Sequence, residues 1–403
     1  MEKQKNIPLL RFPEFTGEWK IKKLEQITEK INSGKTPLGG ESVYTSDGIL
    51  FIRSQNVNDN RLTLENSTFI SEEINATMKN SVVKPKDILL NITGASLGRS
   101  CVVPASFTIG NVNQHVCIIR INSNNEPYFI QPILASDKGQ NVFNNLQTGS
   151  GREGLNFQSI KGISLYFPTL QEQTKIATFL TAIDNRLNQL KKKKSLLEQY
   201  KKGVMQKIFD QEIRFKDENG EVFPEWEEKV LGDVSEVTMG QSPESSSYNS
   251  DGRGELLIQG NADLSGRISC PRNWTSEPTK RCKVGDIILT VRAPVGSVAK
   301  SIHNACIGRG VCSIRNNSKS HNDFLYQFLL YYEPKWVRLE QGSTFTAVSG
   351  NDIRSIQCET PCLAEQTKIA NFLSAIDEKI NKCNMQVVKT EQYKKGLLQQ
   401  MFV

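Results

Sequence analysis

Residues 172–184 read EQTKIATFLTAID, and residues 365–377 read EQTKIANFLSAID. The second stretch starts 365 less 172, or 193, residues after the first. The match continues at that same step. Residues 198–203 and 391–396 both read EQYKKG, and Phe209 answers Phe402. A unit of roughly forty residues has been duplicated with its length intact, the self-similarity that a repeat search looks for first.

Outside these units the correspondence is looser. DILLNITGASLG opens at Asp87 and DIILTVRAPVG at Asp286, a step of 199 residues. GKTP begins at Gly34 and GQSP at Gly240, a step of 206. Trp19 follows RFPEFTGE and Trp226 follows RFKDENGEVFPE, a step of 207. The step shrinks from 207 to 193, so these segments carry a net deletion of 14 residues while the repeated units carry none. A period this long marks a tandem domain duplication and not a solenoid. The chain is expected to divide into variable residues 1–168, a fixed unit at 169–210, variable residues 211–361 and a fixed unit at 362–403. A chain of 403 residues is long enough for more than one core.

Each fixed unit has a helical seam. In the first, Leu180, Ile183, Leu187, Leu190, Leu197, Val204 and Ile208 recur at alternating steps of three and four, with Lys194 and Lys201 interrupting. In the second, Leu373, Ile376, Ile380, Cys383, Val387, Leu397 and Met401 do so, with Thr390 and Lys394 interrupting. This heptad pattern predicts a coiled coil. Pro168 and Pro361 stand just before the units, where a helix start tolerates them. Two matching helices in one chain pair most simply with each other, and the domain between them turns the chain around, so the pairing is expected to be antiparallel. Each helix would span roughly 55 Å. The Lys191–Lys194 run reads as a solvated helix face.

The variable segments hold short β-type runs between turn signals, such as ILFIRS, DILLNIT and HVCIIRI, with DIILTV and GVCSIR as their echoes. SEEINATMKN and YFIQPILASDKGQNVFNNL read as short helices. The expected fold class is α+β: two tandem mixed α/β domains separated by two long helices pairing as an antiparallel coiled coil, in a pseudo-twofold duplicated chain.

Between the runs lie Gly-, Asn-, Ser- and Thr-rich loops with single basic residues. GKTPLGG, RSQNVNDNR, TGASLGR, GNVNQ and QTGSGREG belong to the first half, and GQSPESSSYN, QGNADLSGR, RAPVGS, IGRG and QGSTFTAVSG to the second. Arginine matches guanine edges, Asn and Gln match adenine edges, and small hydroxyls and amides suit phosphates. Any one such loop is an ordinary connection. Equivalent loops at equivalent places with unlike contents are a different matter: Arg53 aligns with Gln259, and Lys35 with Gln241. The candidate DNA-binding residues are Lys35, Thr36, Arg53, Ser54, Asn56, Ser96, Arg99, Asn113 and Gln114 in the first domain. In the second they are Gln241, Ser242, Gln259, Asn261, Arg292, Ser297, Arg309, Ser343 and Thr344.

Composition sets bounds. Hydrophobic residues are 37% and charged residues 23%, which excludes a disordered or collagen-like chain. Fifty Lys plus Arg against 43 Asp plus Glu give +7, which permits a polyanionic partner. No run of eighteen apolar residues predicts a membrane span, and MEKQKNIPLL has no apolar secretory core. Nine cysteines, an odd number without a disulfide framework, fit reduced thiols in a cytoplasm.

Catalytic signatures are few and fail inspection. Gly34-Lys35-Thr36 resembles the end of a P-loop, but Glu29 stands where that motif needs glycine. There is no NPP[FY] or DPP[FY] methyltransferase motif and no strand-linked GxGxxG. His115, His303 and His321 lack metal-ligand spacing, and Cys358 with Cys362 has no second pair. Ser81-Val-Val-Lys84 matches SxxK without its companion motifs. The chain reads as a binding protein, with catalytic and metal sites expected to be absent.

The doubled EQTKIA-x-FL-x-AID phrase, starting from Pro168 and Pro361, closely resembles the signature that opens each conserved helix in specificity subunits of Type I restriction-modification enzymes. DILLNITGASLG, DIILTVRAPVG and the GKTP and GQSP turns are similar to those of its target recognition domains, and the resemblance covers nearly the whole chain. It implies two target recognition domains, each reading one half of a split, asymmetric DNA sequence, with the helices setting the spacer. It implies a non-catalytic subunit that recruits two modification subunits, which methylate adenine with S-adenosylmethionine, and two restriction subunits, which use ATP and Mg2+. No cofactor is then expected in this chain, and partner subunits would share the phosphate contacts, in keeping with a charge of only +7. The alternatives are a structural adaptor or decoy of the same fold that reads no DNA, and a stand-alone enzyme such as a nuclease.

Overall fold

The structure, a computed structural model, describes residues 6–65, 67–147, 154–342 and 348–403. The chain forms two compact units, residues 1–190 with 386–403, and residues 191–385. The two units share one plan.

In the first unit, Lys20–Lys23 pairs antiparallel with Ser164–Phe167 just ahead of the first long helix. An antiparallel sheet follows in the order Thr28–Ser33, Val116–Ile121, Ile88–Asn91, Ser100–Val102. A second sheet runs in the order Thr68–Ile70, Ile49–Ile52, Gly110–Val112, Val82–Val83, with Gly110–Val112 parallel to Ile49–Ile52. The second unit repeats this. Glu227–Val230 pairs with Gln357–Thr360. Ser235–Met239, Val311–Asn316, Ile287–Thr290 and Val298–Lys300 stand in the same order as their counterparts. Glu255–Ile258 again lies parallel to Ala305–Ile307.

The central strands carry no polar alternation because both of their faces are buried. Ile88 and Leu90 point into the core beneath the helices, while Leu89 points into a second core against the other sheet. Ile287 and Leu289 divide from Ile288 in the same way. Each such side chain contributes about 1.5–3 kcal/mol on burial. Each central strand is preceded by a buried aspartate. Asp87 receives Arg120 through Nε at 2.8 Å and a terminal nitrogen at 2.7 Å, and Asp286 receives Arg315 at 2.6 and 2.7 Å. The hydrogen-bonded carboxylate raises the pKa of each arginine above its ordinary value. A forked pair supplies the donors and charge that a buried carboxylate needs.

The long helices run Leu170–Phe209 and Leu363–Met401. The Thr169 hydroxyl caps the first, accepting Glu172 N–H at 3.4 Å. Their pairing is antiparallel. In the second unit Lys194 Nζ meets Asn384 at 2.9 Å and Lys201 Nζ meets Asp377 at 2.7 Å, so one helix ascends as the other descends. In the first unit Lys394 Nζ meets Asp184 at 2.5 Å, the same pair moved by one repeat. The seam lysines at 201 and 394 are thus polar register contacts between facing helices. Cys383 is buried in its seam, and Thr390 bonds back to Gln386 carbonyl at 2.7 Å. Lys192 and Lys193 face solvent.

The repeated EQ dipeptide anchors each helix to the unit it leaves. Glu172 is buried and accepts Arg11 at 2.7 Å and Trp19 Nε1 at 3.3 Å. Glu365 accepts Arg214 at 2.9 Å and Trp226 Nε1 at 3.1 Å. Gln173 takes Glu126 N–H and donates to Pro168 carbonyl, and Gln366 does the same with His321 and Pro361. The other ends of the helices are planted by a phenylalanine. Phe402 packs on Trp19 and Phe129 in the first unit, and Phe209 packs on Trp226 and Phe324 in the second.

Candidate nucleic-acid interface

In each unit the loops rich in Gly, Asn, Ser and Thr leave the same ends of the same strands. In the first unit the GKTP turn follows Thr28–Ser33, RSQN follows Ile49–Ile52, TGAS follows Ile88–Asn91, and Asn113–His115 follows Gly110–Val112. Backbone bonds tie them together: Gly34 N–H to Asn113 carbonyl, Asn113 N–H to Ile52 carbonyl, and Ile92 N–H to His115 carbonyl. In the second unit Gly308 N–H to Ile258 carbonyl and Val291 N–H to Gly310 carbonyl repeat the last two of these, while Gly240 N–H goes to Val311 carbonyl. The glycine that opens GKTP and GQSP is demanded by this close approach. A Cβ at Gly34 would lie 1.6 Å from Val112 oxygen, and one at Gly240 would lie 2.2 Å from Gly308 oxygen.

The candidate residues divide into those offered to solvent and those built into the loops. Lys35, Thr36, Arg99 and Gln114 are exposed, and Arg53, Ser54 and Ser96 are half-buried. Thr36 bonds to Gln114, whose amide nitrogen contacts His115 Nε2 at 3.0 Å. His115 in turn bonds Thr93 at 2.6 Å. The Asn91 amide donates to Ser54 carbonyl at 2.9 Å and to Ser96 Oγ at 3.1 Å, fastening two loops with one side chain. Arg99 donates to Asn58 at 3.1 Å.

Asn56 and Asn113 turn inward, against the expectation that they present amides to DNA. Asn56 is buried, accepting Arg53 N–H at 2.9 Å and donating to Thr63 carbonyl at 2.9 Å. Asn113 is buried and accepts His115 N–H at 3.0 Å. Their amides shape the turn and leave the neighbouring residues to face outward.

In the second unit Gln241, Asn261, Arg292 and Arg309 are exposed, while Ser242, Gln259 and Ser297 are half-buried. Ser242 Oγ accepts Arg309 N–H at 3.2 Å, joining the GQSP and IGRG loops. Ser297 N–H donates to Thr290 Oγ1 at 2.9 Å, and that hydroxyl donates to Pro294 carbonyl at 2.7 Å. Thr290 thus fastens the loop after its strand as Asn91 does in the first unit. Ser343 and Thr344 lie outside the described residues, as does most of QTGSGREG.

Sequence reasoning missed four contributors. Thr93 and His115 complete the hydrogen-bonded chain through Gln114. Asp263 is buried, accepts Gln259 N–H at 2.8 Å and holds Arg272 at 3.1 Å. Thr279 donates to Gln241 carbonyl. No local motif distinguishes them. Asp263 alone carried a signal, as an acidic side chain a few residues past a strand, the place of an Asx-type turn.

Among the described residues no group of three or more His, Cys, Asp or Glu is placed to hold a metal ion. No helix among them is long and apolar enough to cross a membrane.

The family model of the Type I restriction modification DNA specificity domain matches residues 16–199 and again 224–390. The chain is 29% identical, over 98% of its length and 95% of the relative's, to a protein of Methanocaldococcus jannaschii named as type I restriction enzyme MjaX specificity subunit. It is 24% identical to the MjaVIII specificity subunit of the same organism, over 81% of each chain. Its fold is similar to that of the type I restriction-modification S subunit from M. genitalium, with a TM-score of 0.66 at 14% identity, covering 98% of this chain and 99% of that one. It is also similar to a chain in a structure of type I R-M system assembly, with a TM-score of 0.58 at 23% identity, covering 95% of this chain and 97% of that one.

Proposed function

The chain belongs to the Type I restriction modification DNA specificity family, with two recognition domains in tandem, and from that premise we propose how its parts divide the work. Each recognition domain reads one half of a bipartite DNA target through the loops at its strand ends. The target is asymmetric, because the same scaffold carries Lys35 and Arg53 in one domain and Gln241 and Gln259 in the other. That pairing of one frame with unlike loop contents is the observation that carries the proposal. Exposed Lys35, Arg99, Arg292 and Arg309 supply charge for the phosphates, and the amides and hydroxyls beside them match base edges.

The two helices, of 40 and 39 residues, act as the ruler of the spacer at about 1.5 Å per residue. They also present equivalent surfaces to two methyltransferase subunits, with two restriction subunits joining the full enzyme. Adenine methylation with S-adenosylmethionine, and translocation and cleavage with ATP and Mg2+, belong to those partners. This chain supplies sequence recognition without catalysis or a cofactor of its own, in the cytoplasm where the chromosome is modified.

The test is selection from randomised duplex DNA by the full chain assembled with its methyltransferase partner. A bipartite motif with a fixed spacer is expected. Binding without sequence preference refutes the proposal.

A further inference from the structure

Among the described residues the half-buried arginines are, with one exception, bound to carboxylates. Arg11, Arg120, Arg214 and Arg315, the other half-buried ones among the described residues, each hold a buried carboxylate. Among the described residues Arg53 is the half-buried arginine whose guanidinium has no hydrogen-bond or ion-pair partner. Its Nε is buried and unbonded, and the guanidinium lies over the Tyr44 ring at 5.7 Å. A buried donor left without a partner is costly, and a half-buried guanidinium keeps further donors for a ligand. Stacking on an aromatic face orients the planar fork while leaving its outer edge free.

Gln259 occupies the same place in the second domain. Arg53 follows Ile49–Ile52 and Gln259 follows Glu255–Ile258, each the strand parallel to its neighbour. Each has its backbone N–H held by a side chain a few residues on, Asn56 at 2.9 Å and Asp263 at 2.8 Å. Among the described residues the Gln259 amide is also without a hydrogen-bond partner. Two elaborate turns thus present one unbonded side chain each, and both side chains are of the kind that bonds a base bidentately. A site for phosphate would not keep its geometry while exchanging a cation for a neutral amide.

We propose that this position is a specificity determinant in both domains: Arg53 reads a guanine edge in the first half-site, and Gln259 reads an adenine edge in the second. The inference rests on the reading of the chain as a DNA specificity subunit and adds a residue-to-base assignment to it. Guanine offers O6 and N7 to the arginine fork, and adenine offers N6 and N7 to the glutamine amide. Each contact is worth roughly 10- to 100-fold in discrimination at its base pair.

The experiment selects from a randomised duplex library with the full chain in complex with its methyltransferase partner, comparing wild type with Arg53→Gln and Gln259→Arg. Arg53→Gln is expected to convert one G·C pair of one half-site to A·T, leaving the other half-site and the spacer unchanged. Gln259→Arg is expected to make the opposite exchange in the other half. An unchanged motif with binding uniformly weaker and a shallower salt dependence would assign Arg53 to a phosphate and overturn the proposal. An unchanged motif at unchanged affinity would overturn it too. If one variant fails to fold, the other decides. A wild-type complex that selects no motif refutes the functional reading itself, whereas a wild-type motif that both variants preserve refutes only this assignment.

Discussion

Replacing Asp377 with asparagine should loosen the second unit's helix pair, and replacing Lys201 with methionine should not. The Lys201 side chain is 11% exposed, and its ammonium lies 2.7 Å from Asp377, which is 32% exposed. Gln327 also donates to Asp377, at 2.8 Å. Asp377→Asn keeps the shape and an acceptor for Gln327 but removes the countercharge. Breaking a fully buried pair costs about 3–5 kcal/mol. Because Asp377 is one-third open to water, the expectation here is the lower figure of about 2–3 kcal/mol. Lys201→Met removes the charge that needs the pair, and Asp377 retains Gln327 and water, so stability should stay within about 1 kcal/mol of wild type.

A pH dependence follows with a definite sign. Burial holds the Lys201 ammonium below its ordinary 10.5, opposed by Asp377. Between the folded value and 10.5 the unfolded chain binds more protons than the folded one, so stability rises with pH in that window. Without Asp377 the folded value falls further and the window widens downward. The deficit of Asp377→Asn should therefore shrink as pH rises from about 7 to 10. Hydrogen exchange on the helix segments 195–208 and 366–382 reads the local stability. The Lys394–Asp184 pair in the first unit serves as the unperturbed control. If Lys201→Met proved as costly as Asp377→Asn, or if the deficit grew with pH, the reasoning would be wrong.

Three further outcomes are expected. Gly34→Ala should cost about 3 kcal/mol, because its methyl would meet Val112 oxygen, and exchange should rise in residues 28–37 and 110–117. Glu172→Gln strips Arg11 of the carboxylate that raises its pKa and should lower stability by about 3 kcal/mol, seen as early exchange in residues 170–183. Brief iodoacetamide treatment of the native chain at pH 8 should label Cys270 and Cys362, the exposed pair, and spare the seven buried cysteines. Burial pushes Cys101, Cys117 and Cys312 up to about 12, and their mass-spectrometric labelling should wait for denaturant.

The fixed units were legible in the sequence because their constraint is one-dimensional: a seam must recur at helical spacing over an unbroken length. Even the register contacts left a trace. Asp184 closes the AID phrase and Lys201 lies in EQYKKG, and both recur together at 377 and 394. Read along one helix, the lysines look like interruptions, and only the facing helix supplies their partners. The same applies to the EQ dipeptide, whose arginine and tryptophan partners come from segments far off in sequence. The Gly-, Asn-, Ser- and Thr-rich loops at the strand ends were legible as loops but not side chain by side chain. Asn56 and Arg53 sit in one tetrapeptide of uniform polarity, yet one is turned inward to bond the other's backbone. Burial of a short amide depends on the strands that cross beneath it, and composition holds no record of that. Arg120 and Arg315 were hidden for the same reason, since their aspartates precede a different strand.

Each recognition domain is proposed to read its own half of the target. The most direct test exchanges residues 1–168 for those of a family member with a different motif and maps the methylated sequence in a host carrying the assembled enzyme. A new motif is expected in one half-site, with the other half-site and the spacer retained. A change in both halves, or in neither, would contradict the proposal.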